Sequence, residues 1–155
     1  MFNIRSAKPA DLEQLNELMY QLHHEHHRQE PDSFKTALEI EQEKSIARYL
    51  DNPECLVFVA LSGEQVIGFI TGHFCELIST VSKPVQMGSV DELYVLPNFR
   101  SQKIAQNLYQ VLEQRFEEYG VQQVFVEVWN FNQNACQFYS KTGFKHHIHW
   151  LRKVI

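Results

Sequence analysis

The sequence predicts an α+β domain in which a mixed sheet is flanked by about four helices. Three observations carry this: two apolar β-branched runs set as a hairpin, an acidic strand turning directly into an amphipathic helix, and a late apolar strand followed by a second short helix. At 155 residues the chain forms one domain, residues 1–155, large enough to bury a core without staples.

Residues 2–6 read as a first strand. Pro9 and Asp11 open a helix with Leu12, Leu15, Met19 and Leu22 on one face. The histidine-rich stretch 23–34 loses that period and contains Pro31, so it reads as a connection. A second helix follows over about 35–50, and Pro53 ends it. LVFVAL (56–61), a Ser-Gly-Glu-Gln turn and VIGFITGHF (66–74) form a hairpin, and 76–88 reads as a looser turn. Val90 to Leu96 is a strand that Pro97 closes, and Ile104, Leu108, Leu112 and Phe116 then recur at helical spacing. A nearly continuous apolar strand occupies 121–129. A helix runs from about Asn132 to Lys141 with Gly143 as its stop, and a last strand covers 144–153.

Composition bounds the function. A net charge of −5 argues against nucleic acid as the main partner and leaves room for a cationic one. Cys55, Cys75 and Cys136 are widely spaced and unpaired in pattern, which fits reduced thiols. The N-terminus lacks the charged and apolar regions of a secretory signal, and the longest apolar run is too short to span a bilayer. A cytoplasmic protein with no membrane association is expected. His23, His24, His26, His27 and His146, His147, His149 invite a metal reading, but HExxH fails because Arg28 stands where the second histidine belongs. No metal is expected.

The short turn Pro97 to Lys103, opening a helix, gathers backbone N–H groups for an anion, with Arg100 nearby. It is neither a P-loop nor a dinucleotide fingerprint. Asp91 and Glu92 are adjacent on a strand, so their side chains are expected on opposite faces, with one entering the site. Tyr139 lies between Phe138 and Phe144 in an aromatic setting that also suits a core tyrosine.

Two segments together resemble the GNAT superfamily of acetyl-CoA-dependent N-acetyltransferases. One is Val95-Leu96-Pro97 followed by Arg100-Ser101-Gln102-Lys103-Ile104-Ala105. The other is Asn132, Ala135, Tyr139, Gly143 and Phe144 at the family's spacing. GFITG at 68–72 is also typical. The resemblance implies the acyl-CoA N-acyltransferase fold from residue 2 onward, with acetyl-CoA as co-substrate. It implies pyrophosphate contacts from Arg100, Ser101, Gln102, Lys103, Ile104 and Ala105, and pantetheine contacts from Leu93, Tyr94 and Val95. Asn132 would reach the cofactor, and Tyr139 would touch it and protonate the departing thiolate. Glu92 or Asp91 would take the proton of the attacking amine. Lys103 departs from the family by replacing its first turn glycine. The implied acceptor is an amine on a small cationic molecule or a lysine side chain, favoured by Glu25, Glu30 and Asp32. A peptide N-terminus is the alternative acceptor, and a non-catalytic acyl-CoA-binding module the alternative class. The resemblance leaves a homodimer open.

Overall fold

The computed structural model describes residues 1–155. One five-stranded sheet, in the order β1-β2-β3-β4-β5, forms the centre. Its strands are β1 (Asn3–Ser6), β2 (Cys55–Ser62), β3 (Gln65–Leu77), β4 (Val85–Val95) and β5 (Gln123–Val126). The first four pair antiparallel, and β5 joins β4 in parallel. That parallel step requires a crossover, and α4 (Ile104–Glu118) supplies it.

Each sheet face buries its own apolar set, because side chains alternate along the strands. On one face Phe58, Ile70, Val90 and Val95 pack with Ile104, Leu108, Leu112 and Phe116 of α4 and Tyr139 of α5 (Gln133–Thr142). On the other, Val57, Val59, Phe69 and Tyr94 pack with Leu15, Leu18, Met19 and Leu22 of α1 (Leu12–Gln29). Gly72 lets the sheet sit close beneath α4. A Cβ there would lie 2.7 Å from the Ser89 carbonyl oxygen and 3.0 Å from the Phe116 ring.

Four sequence expectations need correction. First, α1 continues through 23–29, where a connection was expected. His23 and His26 hold the i+4 and i+7 positions after Met19 and are half-buried, so imidazoles extend the helix face that aliphatic residues began. Second, the helix expected over 35–50 is two, α2 (Ala37–Glu43) and α3 (Ile46–Asp51). A Thr36–Glu39 capping box starts one and the Ser45 hydroxyl caps the other, leaving Lys44 extended between them.

Third, the turn expected over 76–88 is shorter, confined to 78–84. β3 and β4 continue their ladder out to Leu77 and Val85, so only the hairpin tip remains a turn. Fourth, the expected strand 121–129 pairs only over Gln123–Val126, and that expected over 144–153 does not form. Phe144 packs its ring on Tyr109 and Tyr139, and His147 packs on Phe125 at 5.5 Å. Rings hold this segment where a ladder was expected.

Candidate active site

Two backbone irregularities build the site. The first is a β-bulge: Thr71 faces Glu92 and Gly72 faces Val90, which leaves Asp91 without a partner on β3. The extra residue cancels the alternation expected of neighbours on a strand. Asp91 and Glu92 therefore share one face, under α3, instead of lying on opposite faces. Glu92 is 6 % exposed and accepts from Lys44 Nζ at 2.9 Å and Thr71 Oγ1 at 3.0 Å. Asp91 accepts from Ser89 Oγ at 2.8 Å, Tyr49 Oη at 3.0 Å and His73 Nδ1 at 2.7 Å.

Burial raises the Glu92 carboxyl above the ordinary carboxylate range, with the Lys44 ammonium opposing it. The Tyr49 phenol is pushed far up, first by burial and then by the two carboxylates. Lys44, Tyr49, Thr71, His73 and Ser89 were not among the sequence candidates. Thr71 and His73 carry a faint signal, being polar at i,i+2 in the otherwise apolar run 66–74. The helix residues carry none, because the bulge and the α2–α3 break decide their approach.

The second irregularity is the parting of β4 from β5. Their ladder ends at Val90 and Val126, so residues 91–95 of β4 have no strand on that side. Glu92 N–H donates to Thr71 Oγ1 and Leu96 N–H to the Ile67 carbonyl, both toward β3. By alternation Leu93 and Val95 turn their N–H groups to the open side. The Leu93 and Val95 side chains pack toward α4, whereas Tyr94 points to α1.

Tyr94 Oη donates to Glu25 at 3.1 Å, and its phenol is pushed up to about 12, mainly by burial and then by Glu25. Arg100 was expected to bring its charge to the turn. Its guanidinium instead folds back, donating to the Val95 carbonyl at 2.8 Å and to Glu25 at 3.3 Å, over the Tyr94 ring. These contacts pin the start of the turn to the end of β4.

The turn itself runs through a short 3-10 segment, Pro97–Phe99, into α4. Ser101 (φ 66°) and Lys103 (φ 64°) are left-handed, a conformation that curls successive N–H groups into a concave nest. The backbone N–H groups from Ser101 to Gln106 find no acceptor in the chain. Lys103 occupies the place of the family's glycine with an exposed side chain, so it keeps the glycine-like backbone at the cost of about 1 kcal/mol of strain. Ile104 is buried beneath, and Ala105 is half-buried.

On α5, Asn132 Oδ1 caps the helix by accepting from Ala135 N–H at 3.1 Å. Tyr139 is 7 % exposed, ringed by Phe138 and Phe144 at 5.0 and 5.3 Å. Burial alone raises its phenol pKa. Its hydroxyl has no partner in the chain and is not sealed from solvent, unlike His23 Nε2. No group of three or more His, Cys, Asp or Glu side chains is arranged to hold a metal. No helix is long and apolar enough to cross a membrane.

The open edge of β4, the nest opening α4 and the acidic bulge thus meet at one end of the sheet. This layout is that of an acyl-CoA-dependent acetyltransferase. The chain belongs to the acetyltransferase (GNAT) family, whose model matches residues 18–144. It is similar to an acetyltransferase from Vibrio fischeri, with 55% identity over 83% of this chain and 97% of that one and a TM-score of 0.70. A mutant Bacillus halodurans protein superposes with a TM-score of 0.87 at 18% identity, covering 99% of both chains. The aminoglycoside N-acetyltransferase AAC(6')-Iy, bound to a CoA–acetylneamine bisubstrate analogue, gives a TM-score of 0.73 at 19% identity over 100% of this chain and 99% of that one. At such identities these last two share the fold. No curated protein matches the chain.

Proposed function

We propose that this acetyltransferase moves the acetyl group of acetyl-CoA to a primary amine, carried by a small cationic molecule or a lysine side chain. The acceptor attacks directly while both substrates are bound. The observation that carries the reading is the turn of unpartnered N–H groups from Ser101 to Gln106, next to the edge that β4 leaves open. Such a nest suits a pyrophosphate, and an extended edge suits the amide groups of a pantetheine arm. The residues present therefore fit acetyl-CoA, whose thioester supplies the activated acetyl group.

Each element then has a task. Ser101 to Ala105 hold the phosphates through the backbone, and the Lys103 ammonium adds charge from outside. Leu93 to Val95 align the arm, and the Leu93 N–H polarises the thioester carbonyl. The Asn132 side-chain amide, its oxygen committed to the cap, offers N–H groups to the cofactor. Tyr139 protonates the thiolate as it leaves. Asp91 and Glu92, with Glu25 nearby, make a negative field for a cationic acceptor. That acceptor class is shared with the neamine derivative seen in the AAC(6')-Iy complex.

The test has two arms. Acetyl-CoA at millimolar concentration should raise the thermal midpoint by ligand linkage. CoA release should then depend on an added amine, in a panel of a polyamine, an aminoglycoside, a lysine peptide and a peptide with a free N-terminus only. No shift with an intact fold would remove the cofactor assignment. A shift without turnover of any amine would leave a binding module.

A further inference from the structure

The attacking amine arrives as an ammonium, since alkyl amines hold their proton to about pH 10, and it must lose that proton to attack. The carboxylates beside the open edge are already engaged within the chain: both oxygens of Asp91 and both oxygens of Glu92 accept hydrogen bonds there. One ring among their partners has a free nitrogen. His73 lies on β3 two residues beyond Thr71, with its side chain 38% exposed. A carboxylate only accepts, so the 2.7 Å contact with Asp91 fixes a proton on His73 Nδ1, and in the neutral ring the lone pair is then on Nε2. Nε2 has no partner in the chain.

We propose that His73 is the group that receives the acceptor's proton, and that Asp91 is the positioning residue that holds its tautomer and ring. The proposal rests on the acetyltransferase reading and deepens it. The ammonium gives its proton to His73 Nε2, directly or through one water. The freed nitrogen lone pair forms the C–N bond at the thioester carbonyl, the C–S bond breaks, and the thiolate takes the Tyr139 proton. The second proton that the nitrogen sheds as the amide forms passes through water to the Tyr139 phenolate and restores it. His73 returns its proton to solvent. The dyad differs from a lone strand carboxylate in having a basic atom with no partner in the chain.

The groups facing His73 are Asp91 on β4, Tyr49 on α3, and Cys55 at the start of β2 with Glu54 just before it; Glu92 and Lys44 lie one step further. Burial raises the Cys55 thiol and the Tyr49 phenol, so neither titrates below neutrality. Glu92, also raised, is a rival source of an acidic limb in the rate profile, as is the charging of buried His23 and His26, so the profile is read over the pH range in which the fold is intact.

The experiment uses the best-turned-over amine of the panel above with acetyl-CoA. His73→Gln should lower kcat by roughly 10²–10⁴-fold and abolish the acidic limb of the pH profile, with KM for acetyl-CoA little changed. His73→Ala should regain turnover with added imidazole, and Glu92→Gln should keep the acidic limb. A kcat within threefold of wild type, or a lowered kcat with the limb intact and no imidazole rescue, overturns the proposal. A check independent of turnover is ¹⁵N NMR of the intact protein. The Nδ1–H tautomer of His73 is expected, to be lost in Asp91→Asn, and an Nε2–H tautomer in the wild type overturns the assignment. Failure of acetyl-CoA to bind would instead count against the acetyltransferase reading itself.

Discussion

At the scale of single residues, Tyr139 offers the sharpest separation of chemistry from packing. Its ring is buried between two phenylalanines, yet its hydroxyl is partnered by nothing in the chain. Tyr139→Phe removes the hydroxyl and keeps the ring. A hydroxyl serving the fold would cost about 1 kcal/mol when deleted, the worth of a typical hydrogen bond. Here no such bond exists, so the melting midpoint should hold within a degree or two while kcat falls roughly 10²–10⁴-fold. Paired melting and steady-state kinetics decide, and normal turnover would take Tyr139 out of the mechanism. Tyr139 was readable in the sequence because its motif is local, Asn132 to Phe144 within one helix and its stop. The partners of Asp91 were not. Tyr49 and His73 reach it from sequence separations of 42 and 18 residues, and no local pattern encodes a meeting that depends on a bulge.

At the scale of elements, sequence periodicity found what burial makes periodic and missed what polar groups continue. The face of α4 was legible because Ile104, Leu108, Leu112 and Phe116 are all apolar and all buried. The second half of α1 was not, since histidines hold its inner positions. The outer β3–β4 ladder was hidden for a related reason: past Phe74 the strands face solvent, and their polar residues look like loop. What the ladder contributes is a rigid floor, and Gly72 sets its distance from α4. In Gly72→Ala the new Cβ meets a backbone carbonyl at 2.7 Å, and the Phe116 and Leu112 side chains fill the space on the helix side. Backbone cannot rotate away as a side chain can, so the strand must shift. A loss of about 1–3 kcal/mol is expected in urea unfolding, the usual penalty for overpacking. Because Gly72 adjoins the bulge at Asp91, kcat should fall with it. An unchanged midpoint would show that α4 has room the packing denies.

At the scale of the whole molecule, the fold class and the cofactor end of the site were legible, since a mixed sheet and a strand–turn–helix motif are written in consecutive residues. The acidity response of the fold was not, because it depends on which histidines are buried. Burial, aided by Lys44 and His26, lowers the His23 pKa from 6.5 to about 4, and burial also lowers that of His26. The native state thus holds these rings neutral, while the unfolded chain takes up protons near pH 6.5. A base whose folded pKa is depressed contributes stability above its unfolded value, and that contribution fades as pH falls toward the folded one. Stability should therefore decline between about pH 6.5 and 4. Glu92 works in the opposite sense, its raised carboxyl favouring the native state as it protonates. Asp11, held low by its Arg5 ion pair, adds a further loss only below the ordinary aspartate value of 3.8. The His23 contribution is isolated by difference. His23→Asn should lower stability at pH 7.5, where a packed ring is lost, yet show a shallower fall between pH 6.5 and 4 than the wild type. Urea midpoints measured across that range give both numbers. Parallel curves for the two proteins would mean that His23 titrates alike in the folded and unfolded chains, and that its burial against Lys44 has no hold on the proton.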